Sequence, residues 1–136
     1  MLDHVSIPVR DGTRAAAFYD AVLAAIGLRR VKEVNGSIGY GRDKGWPMFW
    51  LEPAWRLPES AKTARSGIGL HISFRANSRA EVHAFHEAAL ASGGRDAGAP
   101  GPRPQYSSGF YGAFAFDPDG FKVEAVLRED VTVGGP

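Results

Sequence analysis

The chain contains no cysteine, which excludes disulfides, thiolate metal sites and a thiol nucleophile together. Any metal would have to be held by nitrogen and oxygen donors. An excess of either charge is also missing. Sixteen Lys and Arg against 15 Asp and Glu leave a formal net charge of +1, too little for the electrostatic footprint of a nucleic-acid or anionic-membrane partner. No uncharged run approaches the roughly 18 residues of a membrane span, and Met1-Leu2-Asp3-His4 lacks the basic and apolar regions of a signal peptide. The expectation is a cytoplasmic protein. What is there, 136 residues at 44% hydrophobic and 23% charged, suits one globular domain over 1–136 and excludes two large ones. Its 17 Gly and 9 Pro point to many turns.

Segment 2–9, LDHVSIPV, alternates Val5, Ile7 and Val9 against His4, Ser6 and Pro8, the period of a half-buried strand. A helix follows, with Asp11 or Thr13 as cap, Phe18, Val22, Leu23 and Ile26 at helical spacing, and Gly27 as stop. Strands are predicted near 29–34, 38–42 and 47–52, with Asn35-Gly36 and Asp43-Lys44-Gly45 as turns. After a polar linker over 53–67 the pattern restarts. GLHISF alternates Leu70, Ile72 and Phe74 against His71 and Ser73, and Ser78-Arg79-Ala80-Glu81 is a capping box for a second helix. Further strands are expected near 94–97, 110–116 and 121–128, with 98–109 a long loop.

The restart is an internal repeat. A shift of 67 places His4 on His71, Ser6 on Ser73, Phe18 on Phe85 and Leu23 on Leu90; a shift of 74 places Trp50 on Glu124. The chain therefore reads as two βαβββ modules, about 1–52 and 68–128, and one strand phase carries His4, Trp50, His71 and Glu124. Such small modules cannot each bury both faces of a sheet, so they should pair.

These segments, with FDPDGFKVEAV near the C-terminal end, resemble the vicinal oxygen chelate superfamily of glyoxalase I, fosfomycin and bleomycin resistance proteins and extradiol dioxygenases. The resemblance implies an α+β fold: paired modules forming a curved, partly open mixed β-sheet cup, with helices on the convex face. It also implies a divalent metal in the cup, held from the first and last strands of each module, at positions 4, 50, 71 and 124. The phase of the strands agrees for His4, His71 and Glu124. Two imidazoles and a carboxylate suit Fe, Mn, Zn or Ni and leave positions for two adjacent substrate oxygens. Position 50 is Trp where glyoxalase I would want Glu, and Glu52 lies one pleat repeat further along.

Trp50, Tyr106 and Tyr111 are candidate substrate-binding residues, Trp50 as an aromatic wall. Gln105, Ser107 and Ser108 add polar groups near the cavity mouth. His83 and His86 on the second helix read as a solvated edge. Gly36, Gly39 and Gly41 form no phosphate-binding motif, no Gly-x-Ser-x-Gly elbow exists, and Asp117-Pro118-Asp119-Gly120 reads as a hairpin turn. Two functions stay open. One is a metalloenzyme, a lyase, isomerase or dioxygenase, acting on a compact substrate with vicinal oxygens. The other is a metal-free protein of the bleomycin-resistance type that sequesters an aromatic or cationic drug-like ligand. The resemblance, the chain length and the exposed strand edges further imply a homodimer.

Overall fold

The computed structural model describes residues 1–43, 45–59 and 70–131. The expected linker falls partly outside these residues. The elements run β1 (Val5–Val9), α1 (Gly12–Ala24), β2 (Arg29–Val34), β3 (Ser37–Gly41), β4 (Phe49–Pro53), a 3-10 turn (Ala54–Arg56), β5 (His71–Arg75), α2 (Arg79–Ala91), β6 (Arg95–Pro102), β7 (Phe110–Phe116) and β8 (Lys122–Arg128). Among the described residues, no helix is long and apolar enough to cross a membrane.

The strands form two open four-stranded sheets, ordered β1-β4-β3-β2 and β5-β8-β7-β6. In each, the first strand pairs in parallel with the last and the other contacts are antiparallel. The repeat is carried into the ladders residue by residue: Ser6 stands opposite Trp50, and Ser73 stands opposite Glu124. This is the α+β, two-module architecture expected from the sequence.

Local chemistry sets the element ends. The Asp11 carboxylate accepts from the Arg14 amide at 3.0 Å, so Asp11 rather than Thr13 caps α1. Ser78 Oγ accepts from the Glu81 amide at 3.1 Å, and Glu81 reaches back to the Asn77 amide at 2.6 Å, a capping box displaced by one residue. Asn35 and Gly36 both have positive φ, 50° and 85°, as a two-residue hairpin between β2 and β3 requires.

One shared core joins the modules. Phe18, Tyr19, Val22 and Leu23 of α1 and Val82, Phe85 and Ala89 of α2 pack with Ile7, Phe49, Leu51, Ala113, Val123 and Ala125 from the inner sheet faces, and the two helices touch each other. The turn between β7 and β8 locks against α1. Tyr19 donates its hydroxyl to buried Asp117 at 2.5 Å, and the Arg14 guanidinium donates to the Pro118 carbonyl at 2.6 Å.

Two boundaries differ from expectation. The first strand starts at Val5, the first residue with a ladder partner in β4, so His4 sits just ahead of it. The second difference is at β6, which extends to Pro102 with register shifts around Gly98. The anticipated loop 98–109 thus shrinks to 103–109. Irregular pairing lets a Gly/Pro-rich stretch join an edge strand, where its missing donors face outward.

Candidate functional site

Alternation decides which side chains leave the core. On β4, Phe49 and Leu51 enter the core while Trp50 and Glu52 face a cavity on the other side. On β8, Val123 and Ala125 point inward while Lys122, Glu124 and Arg128 line a second cavity. Each module thus carries its own cavity, of about 290 Å³ in the first and about 320 Å³ in the second.

The first cavity is lined by His4, Lys32, Ser37, Trp46, Trp50 and Arg56 among others. The Nδ1 of His4 lies 2.5 Å from the Asp3 carboxylate. That contact assigns the proton to Nδ1 and leaves the Nε2 lone pair free to ligate. Trp50 fits because Gly39 faces it across the β3–β4 ladder. A Cβ at residue 39 would lie 2.7 Å from Pro47 and 3.0 Å from the Trp50 ring. Glu52 is engaged, accepting from Ser37 Oγ at 2.5 Å and standing 3.6 Å from Arg56.

In the second cavity His71 Nε2 faces Glu124 Oε2 at 3.5 Å. Glu124 is only 3% exposed. Burial pushes its carboxyl above the usual range, although the Ser73 hydrogen bond and the charges of His71, Lys122 and Arg128 oppose this. Two donor atoms each about 2.1 Å from one ion stand roughly 3.0–3.5 Å apart. The His71–Glu124 spacing therefore fits adjacent ligands of a divalent metal. The third expected ligand, His4, lines the other cavity, and among the described residues no group of three His, Asp or Glu side chains converges within one chain. One chain supplies two donors in one cavity and one in the other.

Tyr106 lines the second cavity, its ring centroid 5.0 Å from that of Phe110. Tyr111 does not. As the second residue of β7 it shares the phase of Ala113 and Ala115, packs in the core, and brings its hydroxyl within 2.7 Å of His83 Nε2. The reading of His83 and His86 as a solvated edge holds for His83, which is exposed, and is corrected for His86, which is buried and 2.9 Å from Asp96. Sequence reasoning missed Phe110, Phe114, Lys122 and Arg128. Their signal was the same alternation, since Lys122 and Arg128 share the phase of Glu124 and both Phe residues oppose that of Tyr111.

The family model described as Glyoxalase/Bleomycin resistance protein/Dioxygenase superfamily matches residues 1–125. A solved glyoxalase/bleomycin resistance protein from Albidiferax ferrireducens T118 is 30% identical and superposes with a TM-score of 0.76, over 93% of this chain and 98% of the other. A glyoxalase-related enzyme from Fulvimarina pelagi shares the fold at 18% identity and a TM-score of 0.75, covering 100% of this chain and 95% of that one. A glyoxalase I mutant from Zea mays is 25% identical with a TM-score of 0.64. There, 93% of this chain corresponds to 46% of that one. No curated protein matches the sequence. With the two-module ladders and a family match spanning nearly its whole length, the chain belongs to the glyoxalase/bleomycin resistance protein/dioxygenase superfamily.

Proposed function

We propose that the protein is a small metal-dependent enzyme of the glyoxalase/dioxygenase type. Its working unit is a homodimer, in which His4 of one copy joins His71 and Glu124 of the other. The observation that carries this reading is the unequal division of donors between repeat-related cavities: His4 alone in one, the His71–Glu124 pair at 3.5 Å in the other. The His-bearing ends belong to β1 and β5, each at an edge of its sheet. Edge strands carry unpaired backbone groups that a second copy can satisfy. Facing the first cavity of one copy with the second cavity of another assembles two imidazoles and a carboxylate.

A divalent ion held there would act as a Lewis acid on two adjacent oxygens of a small substrate. Asp3 orients His4 through Nδ1, and Ser73 holds Glu124. Trp50 walls the cavity and limits water. Metal analysis of protein purified without chelator tests the reading: wild type should retain one ion per chain, and His71→Ala and Glu124→Gln should lose it. Equal content in all three, or none even after Fe(II), Mn(II), Zn(II) or Ni(II) is added, would sink it.

A second reading, a metal-free binding protein, is favoured by Trp50 at the fourth family position and by Glu52 being bound to Ser37 and near Arg56. Ligand binding unchanged by chelator and by His71→Ala would support it.

A further inference from the structure

Three of the rings that line the two cavities, Trp46, Phe110 and Phe114, already have a cation of the protein over them, whereas Trp50 and Tyr106 do not. Lys32 Nζ is 4.6 Å from the Trp46 ring centroid. Lys122 Nζ stands 4.9 Å from Phe114, and the Arg128 guanidinium carbon 4.7 Å from Phe110. Each cavity holds two fixed cations and one carboxylate: Lys32 and Arg56 with Glu52, Lys122 and Arg128 with Glu124. Both carboxylates face partners, Glu52 on Ser37 and Arg56 and Glu124 on Ser73 and His71. Among the described residues, neither Lys32 nor Lys122 forms an ion pair.

From this pattern we infer that the cavities take a planar organic anion, an aromatic carboxylate, and reject a cationic aromatic ligand. The inference names the ligand class of the site treated above. It rests on these cavities being the binding site, with or without a metal. A cationic ligand seeking the Trp46, Phe110 or Phe114 faces would have to displace Lys32, Arg128 or Lys122 against repulsion, and would gain only a contact that the protein's own cation already makes. An aromatic carboxylate meets no such repulsion. Its charge is taken up by ammonium and guanidinium groups, which make the stronger charge-assisted hydrogen bonds. Arg56 is held ready, donating from Nη1 to Ser37 Oγ at 2.6 Å. The ring finds a corner between Trp46 and Trp50, whose planes are inclined at 59° with centroids 6.2 Å apart, suited to stacking on one and edge contact with the other.

Isothermal titration calorimetry in chelator-containing buffer tests this with three probes of similar size: salicylate, neutral salicylamide and benzyltrimethylammonium. Salicylate should bind at least roughly tenfold more tightly than salicylamide, the scale of one charge-assisted contact, and the ammonium should not bind. Raising the salt concentration should weaken salicylate. Lys32→Gln and Arg128→Gln should each weaken salicylate, Lys32→Gln without a change in melting temperature, and Lys32→Arg should restore it. No salicylate binding, equal affinity for salicylamide or the ammonium, or indifference to both glutamine variants would overturn the inference. The chelator keeps this result separate from metal retention, so either can fail alone.

Discussion

At the scale of single residues, Trp50 and Glu124 occupy the same rung of two related ladders, and their neighbours compensate. Gly39 opposes Trp50 and Phe114 opposes Glu124, so a large residue meets a small one in the first module and the sizes exchange in the second. Adding a methyl group at residue 39 must push Pro47 or Trp50 aside. Gly39→Ala is therefore expected to cost about 1–3 kcal/mol, the usual range for overpacking, and to shift tryptophan emission. Urea unfolding followed by fluorescence checks both, and an unchanged midpoint and spectrum would show that the close approach is unimportant. Glu124 should behave in the opposite sense. Its carboxyl is buried and its pKa raised, so burial works against the ionised form in the folded state. Glu124→Gln should leave stability unchanged or raised in thermal melts while metal retention falls, the pattern of a residue kept for binding rather than for folding. The orientation of Trp50, Glu52 and Glu124 was legible in the alternation of β4 and β8. That of Tyr111 was not, because the start of β7 follows a Gly/Pro-rich approach and an offset of one residue exchanges the two faces.

At the scale of elements, the helices and the repeat could be read in advance because their signals are local: caps, 3.6-residue spacing, Asn-Gly and Gly stops. Ser78→Ala removes the α2 cap and should cost about 1 kcal/mol in denaturant unfolding. The full length of β6 was hidden, since Gly and Pro are poor strand formers and only the tertiary partner β7 recruits them. The same holds for the Asp117 turn, readable as a hairpin but not as the latch on Tyr19. Burial raises the Asp117 carboxyl, the Tyr19 hydroxyl and the Phe121 and Asp119 amides opposing it. A folded state that keeps this proton to higher pH than the unfolded chain loses stability as pH rises, from the ordinary aspartate value of about 3.8 to the raised folded value. Unfolding measured across that window should show the decline in wild type and a flatter profile in Asp117→Asn. A decline of equal steepness in both would assign it to other groups. Tyr19→Phe, which leaves the buried carboxylate short of a partner, should cost about 1–3 kcal/mol.

At the scale of the whole molecule, the modules share one core through α1 and α2 but present their cavities separately. The sequence phase put His4, His71 and Glu124 on equivalent slots. It carries no information on whether equivalent slots of one chain face each other, because that depends on how the modules dock. The proposed pairing of two copies makes a distinctive demand, since each site must draw on both chains. Mixing His4→Ala with His71→Ala subunits tests it most directly. Each variant alone spoils every site, whereas a mixed dimer concentrates both substitutions in one site and leaves the other intact. After subunit exchange, metal content should rise from near zero to about a quarter of wild type, the value for random pairing in a two-fold symmetric dimer. A mixture that holds no more metal than its separate components, or a wild-type protein of single-chain mass that binds metal fully, would contradict the account.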